Sequence, residues 1–351
     1  MKKHYTLLLL LISFYTFSQQ KYTFGKITQE EREMTVYEKD STANAVVLYA
    51  EGSTEFFEKH GYIYIKTVVY KKIKIFKKED IEHATVNIFL YNNKKNKETV
   101  KKIKGITHNN DMTTSLNKNN IYTNRLSDKN SEISFTLPNI QDGSIIEYTY
   151  TIESPFKFNL TGWKFQTSIP TVESVFKAQI PGNYVYNRTL IGYQRLVRNE
   201  STLVKKCFRV DGIDGYADCE ALVYSMKDVP AFIEEDFMTS KKNYISRIVF
   251  ELSELNWFDG TKKKYTKTWE SVDKEFKSDK EIGGQLRKKM FFRKRIPQEI
   301  SDEVDLLKKA KKVYQFIQNH YTSNKKHGIF NDISVTKAFS EKVGSISEIN
   351  I

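Results

Sequence analysis

Few side chains in this sequence can carry covalent chemistry. Cysteine occurs twice, at Cys207 and Cys219, and histidine at His4, His60, His83, His108, His320 and His327. A thiol attacks as its thiolate, which forms at a helix N-terminus or beside a cation. Cys219 lies in Asp218-Cys-Glu-Ala-Leu222, which reads as strand and turn and offers neither. No histidine pair forms His-Glu-x-x-His, and His320 and His327 have no Cys or His partner at metal spacing. They read as solvated or helix-end residues, and no metal or cofactor is expected. Ile282-Gly-Gly-Gln285 lacks the Lys and Ser/Thr of a phosphate loop, and Gly-x-Ser-x-Gly does not occur. The acidic run Glu234-Glu235-Asp236 reads as solvated loop.

The elements that would position these residues change character along the chain. Residues 1–18 begin Met-Lys-Lys, continue into an unbroken apolar run over Leu7–Ile12, and end in Ser18. That is the pattern of a secretory signal peptide cleaved before Gln19, and the run is too short for the ~20 residues of a membrane span. The chain is therefore expected to be periplasmic or extracellular, at the cell surface or free, with no transmembrane segment. Export brings it into an oxidising compartment. Cys207 and Cys219 flank Gly212 and Gly215, so a hairpin turning near Ile213 would set them opposite each other. A disulfide is one reading of the pair, and two free buried thiols are the other.

From 20 to 255 the signal is β. Tyr62–Tyr70, Lys72–Phe76, Thr85–Tyr91 and Ser144–Ile152 alternate apolar and polar residues, as half-buried antiparallel strands do. Further strands are expected at Phe165–Ile169, Val175–Ile180, Leu203–Val210, Leu222–Ser225 and Tyr244–Leu252, with Pro170, Pro181 and Pro230 just outside them. Residues 256–351 turn helical, with helices expected from Trp269 to Lys277, over Ile282–Phe292, over Asp302–Tyr321 behind a Ser301 N-cap, and over Asn331–Ser340. The fold class is α+β: a large antiparallel, sandwich-like β domain, then a short helical segment. With 23 Phe and 21 Tyr in 351 residues the chain can build substantial cores. Its net charge of +13 comes from 56 Lys and Arg interleaved with 43 Asp and Glu. Without an Arg-dominated patch or a stacking-aromatic signature, it reads as a Lys-rich solvated surface and excludes a nucleic-acid reader.

Several short patterns follow one another in a known order. Gly143-Ser-Ile-Ile-Glu-Tyr-Thr-Tyr150 precedes Ser154-Pro155, Trp163-Lys-Phe-Gln166 and Ile169-Pro170, and then come Asp228-Val-Pro-Ala-Phe232, Glu234-Glu235, Tyr244 and Trp269. Over roughly residues 55–255 this resembles the domain of unknown function found N-terminal to transglutaminase-like domains in secreted bacterial proteins. Lys309–Tyr321 resembles the helix that opens a transglutaminase-like, papain-like domain, and Lys342-Val-Gly-Ser-Ile-Ser-Glu348 the approach to its nucleophile. Active members read Gly-x-Cys-x-Asp/Glu there. Gly344 and Glu348 match the flanks, and Ile346 stands where the Cys would be. The resemblance places the family's His and Asp beyond Ile351, so the sequence is expected to be a fragment of a longer protein.

The resemblance together with Ile346 implies a degenerate, non-catalytic module that binds or scaffolds a protein or a cell-envelope polymer. Two alternatives stand beside it. One is a transglutaminase-like acyltransferase or cysteine peptidase. The other is a carbohydrate-binding protein using Trp163, Trp257 and Trp269, each of which could instead be packed in a core.

Overall fold

A computed structural model describes residues 22–351, apart from 94, 111, 128, 266, 267, 327 and 329–332 and the side chain of Asp80. The signal-peptide segment, His4 and His327 lie outside the described residues. The chain divides into two compact units that meet between Tyr265 and Thr266.

The first unit opens with helix α1 (Gln29–Glu33) and continues in strands. They are β1 (Ala45–Lys59), β2 (Tyr62–Ile75), β3 (Thr85–Tyr91), β4 (Thr99–Asn109), β5 (Met112–Ser115), β6 (Ile121–Arg125), β7 (Asn130–Thr136), β8 (Ile145–Ser154), β9 (Trp163–Lys164), β10 (Thr171–Pro181), β11 (Tyr184–Ile191), β12 (Arg198–Phe208), β13 (Ala217–Val229), β14 (Arg247–Asn256) and β15 (Lys262–Lys264). They form an eight-stranded sheet ordered β12-β13-β10-β1-β2-β8-β4-β5, a three-stranded sheet β3-β7-β6, and a sheet in which β14 pairs with β11, β15 and β9. All three contribute to one apolar core: Ile73, Phe176 and Met226 from the first, Ile88 and Phe135 from the second, Tyr186 and Phe250 from the third. The period-two pattern explains the division of faces. In β3, Val86, Ile88 and Leu90 are buried while Thr85, Asn87 and Phe89 are exposed.

The mixed α+β class holds, with several departures from the sequence reading. β1 and β10 run parallel, so the large sheet is mixed and not wholly antiparallel. The two runs expected over 62–76 are one continuous strand. Phe165–Ile169 is not a strand, because pairing with β14 ends at Lys164. Pro181 is the last residue of β10, not outside it.

The outer face of β2 and β8 is polar and covered by residues 22–34. Glu147 is fully buried and accepts from the Gly25 amide (3.2 Å), the Tyr70 hydroxyl (2.6 Å) and the His108 ring (2.8 Å). The Lys72 amine donates to Glu31 (3.1 Å) and to the carbonyl of Lys26 (2.8 Å), and Tyr22 stacks on Tyr49. Buried charges persist only when paired and bonded in this way.

The second unit is helical: α2 (Trp269–Ser278), α3 (Gly283–Leu286), α4 (Lys289–Arg293), α5 (Gln298–Ser301), α6 (Leu306–His320), α7 (Val335–Glu341) and α8 (Ile346–Asn350). A small parallel pair joins β16 (Thr322–Ser323) to β17 (Val343–Gly344). The helix expected over Ile282–Phe292 is two short ones, with Arg287 and Lys288 between them. Helix α6 starts later than its apolar spacing suggested. Its N-cap is Asp305, whose carboxylate accepts from the Leu307 and Lys308 amides, while Ser301 closes α5. A carboxylate is the stronger acceptor at a helix's positive end.

Candidate functional site

Gly344, Ile346 and Glu348 lie at the start of α8. Ile346 is its first residue and is 42% exposed. Ser345 caps it: the Ser345 hydroxyl accepts from the Glu348 amide (3.2 Å), and the Glu348 carboxylate accepts from the Ser345 amide (2.9 Å). That reciprocal pair is a capping box. Glu348 also accepts from the Ser334 amide at the N-cap of α7 (3.0 Å). Burial pushes the Glu348 carboxyl up, but the Ser345 and Ser334 donors outweigh it and hold it below the usual range. Gly344 is tight for a structural reason: a Cβ there would lie 3.1 Å from Cβ of Ala338 and 3.3 Å from Cγ1 of Ile349. So the flanks of Ile346 are engaged in holding the helix start, and Ile346 itself has no atom that can attack or be ionised.

His320 ends α6. Its ring lies against Phe316 and Phe339, and its Nε2 is 2.9 Å from the Phe339 carbonyl. Alongside runs an apolar cleft of about 480 Å³, lined by Phe292, Ile296, Ile300, Ile317 and Phe339 among others.

Cys207 and Cys219 are bonded to each other across the β12–β13 hairpin, with Cα atoms 5.8 Å apart. The turn falls at Asp211-Gly212, where the Ile213 amide donates to the Val210 carbonyl, and Gly212 takes the positive φ (80°) that the turn requires. Neither sulfur is a free thiol.

A second cleft, of about 560 Å³, lies in the first unit. Its floor is Gln166 and Ser246. The Gln166 side chain accepts from the Ser246 amide (3.1 Å) and donates to the Pro230 carbonyl (3.1 Å), so strand β14 and the segment after β13 are fixed on one amide. Gly192 packs against Ser246 with φ 93°, and a Cβ there would meet Cα of Ser246 at 2.6 Å. The rim is apolar and open to water: Tyr193 is 85% exposed, Ile233 78%, and Phe237 is fully exposed. Phe237 also holds φ 63°, a backbone region that bulky residues avoid. Glu234 pairs with Lys241 (3.2 Å), whereas Glu235 and Asp236 have no ion-pair partner among the described residues. Aromatic faces beside unpaired carboxylates suit a ligand that presents a cation next to apolar surface.

The sequence reading placed Glu234-Glu235-Asp236 in an ordinary solvated loop and missed this cleft. The signal lay in Asp228–Phe232, Tyr244 and Gln166, singled out as motif residues but not brought together. His108 was likewise missed as a buried partner of Glu147. Of the three tryptophans, Trp163 is core: it is 9% exposed, stacks on Phe176, and donates to the Ser174 hydroxyl (2.9 Å). It cannot present a stacking face to a sugar. Trp257 and Trp269 are exposed, one in each unit.

A family described as "Domain of Unknown Function with solved-structure structure (DUF3857)" matches residues 66–202. That stretch holds Gly143–Tyr150, Trp163–Gln166 and Ile169-Pro170, and it ends before Asp228–Phe232. No curated protein matches the chain. Among solved structures, one described as a "putative protease" from Parabacteroides distasonis ATCC 8503 is similar over 87% of this chain and 57% of its own, with 12% identity and TM-score 0.57. That identity shows a shared fold alone, and the chain spans 57% of that structure's length. Legionella pneumophila aminopeptidase A covers 63% of this chain and 23% of its own at 12% identity, and its TM-score of 0.27 is too low to argue from.

Proposed function

We propose that the chain is an exported, non-catalytic binding module that recognises a protein or a cell-envelope polymer. The observation that carries this reading is the cleft in the first unit. Three large apolar side chains stand in water around unpaired carboxylates, on a floor fixed by buried hydrogen bonds. Exposed apolar surface rimmed by polar groups is costly to keep and marks interaction sites. The resemblance of Lys309–Glu348 to the opening of a transglutaminase-like domain adds support. At the position matching the nucleophile stands Ile346, and the Gly344 and Glu348 that flank it serve packing and capping.

A second reading, a cysteine peptidase or acyltransferase, draws on the name carried by the Parabacteroides structure. The residues present weigh against it, because both cysteines are joined in one disulfide. Carbohydrate binding remains a variant of the binding reading, with Trp257 in place of Trp163.

Two measurements test the proposal on the purified chain. Binding to peptidoglycan fragments, polysaccharides and basic peptides is expected for at least one ligand. Phe237→Ala and Tyr193→Ala should each weaken it while thermal stability stays the same. Thiol-dependent acyl transfer or peptide cleavage by the same preparation would sink the reading. N-terminal sequencing of the exported protein should begin at Gln19.

A further inference from the structure

Strands β9 and β14 set two cations directly opposite each other. Lys164 is the register partner of Arg247. Like charges in facing positions of a sheet repel, and sequences ordinarily place a carboxylate in one of the two. Neither Lys164 nor Arg247 has an ion-pair partner among the described residues, and Nε of Arg247 is buried without a hydrogen-bond acceptor. Lys164 is itself exposed on β9, and Arg247 is half-buried. Burial, and after it the positive charges of Arg247, Lys242, Lys71 and Lys241, holds the Lys164 amine below its ordinary value. Lys71, half-buried on β2 between its register partners Ala50 and Tyr148, is pushed down to about 8 by burial. Of these five groups, the described residues show an ion pair only for Lys241, to Glu234.

Two cations facing each other across a strand pair work against the fold. Their cost falls when a negative group enters, because each cation then gains a partner and the Arg247 Nε–H an acceptor. We propose that the facing Lys164–Arg247 pair is a binding site for an oxyanion, a phosphate or carboxylate group of a small ligand. The Arg247 guanidinium supplies the directional contact and Lys164 supplies charge. This pair adjoins the acidic, aromatic-rimmed cleft, since Arg247 follows Ser246 and Lys164 lies two residues before Gln166, but neither residue lines it.

The experiment compares thermal unfolding of the full chain in sodium phosphate, sodium acetate and sodium chloride at matched pH and ionic strength. Calorimetric titration with inorganic phosphate follows. Phosphate or acetate should raise the melting temperature of the wild type with saturation, and which of them does so identifies the group recognised. Lys164→Gln should do two opposite things. It should raise the melting temperature in chloride, because the facing repulsion is gone, and it should abolish the anion-dependent rise. Arg247→Gln should weaken phosphate binding by roughly tenfold or more. Lys205→Gln, which removes the same charge from an exposed stretch of β12, should leave the response intact. Phosphate also stabilises proteins without binding. An anion-dependent rise of equal size in Lys164→Gln and wild type, or no saturable rise at all, therefore overturns the proposal. The Lys164 side chain is not part of the core, so this variant should fold even if Arg247→Gln does not.

Discussion

At the scale of single residues, the buried polar face of β2 and β8 is where small changes should have the largest effects. Glu147 ties Gly25, Tyr70 and His108 together from a fully buried position. Replacing it by Ala removes the acceptor of all three donors at once. Glu147→Ala should cost about 3–5 kcal/mol in denaturant unfolding, because it leaves several buried donors without an acceptor at about 1–3 kcal/mol each, and should open residues 22–34 to protease before the rest of the unit. Lys71 should behave in the opposite sense. Burial disfavours the charged amine and pushes its pKa down from the ordinary 10.5 to about 8. The unfolded chain therefore takes up its proton first as pH falls, and the folded state loses stability between the two values. Below about 8 the penalty is complete. Lys71→Met should stabilise the protein at pH 7, and the gain should shrink as pH is raised from about 8 towards 10.5. A gain that does not change with pH would assign the effect to packing and not to charge.

At the scale of elements, two glycines let strands approach where no side chain fits. A Cβ at Gly52 in β1 would lie 2.5 Å from the Trp163 ring, and one at Gly162 would lie 2.2 Å from the Ile248 carbonyl. Gly52→Ala should destabilise by about 1–3 kcal/mol through overpacking. Gly162→Ala should disturb the β9–β14 pairing itself, and with it the Lys164–Arg247 register. The outcome is read by denaturant melts and by the intrinsic fluorescence of Trp163. These contacts show why some of the architecture was legible and some was not. Strand β3 matched its alternating residues Thr85–Tyr91 from end to end, because period two directly reports a half-buried face. Helix α2 was legible too: the helix expected from Trp269 to Lys277 runs from Trp269 to Ser278, and the structure adds its Thr268 cap. The parallel pairing of β1 with β10 was not legible, since partners 124 residues apart in the register Val47↔Thr171 leave no local mark. The start of α6 was misplaced because apolar spacing extends back to Val304, although Val304 is 91% exposed and the cap lies at Asp305. The clefts escaped for the same reason as the β1–β10 pairing. Gln166, Tyr193, Phe237 and Ser246 meet only through the fold.

At the scale of the whole molecule, the two units differ in how well they hide their apolar surface. The first shares one core among three sheets. In the second, α6 has no buried residue along its 15 positions, and Val304, Leu306 and Leu307 at its N-terminal end are 91%, 82% and 66% exposed. Three large aliphatic side chains so close together form a patch of the kind that binds partners or drives association. The +13 net charge opposes self-association at low salt and opposes it less as salt screens the charge. The chain should therefore show salt-promoted association and bind a hydrophobic dye in its native state. Leu306→Glu with Leu307→Glu should suppress both. Their thermal stability should change little, because surface substitutions away from special features usually stay within about 0.5 kcal/mol. Loss of dye binding with an unchanged melting temperature would locate the exposed apolar surface on α6. Undiminished dye binding would move it elsewhere, with the Phe292–Phe339 cleft as the next surface to substitute.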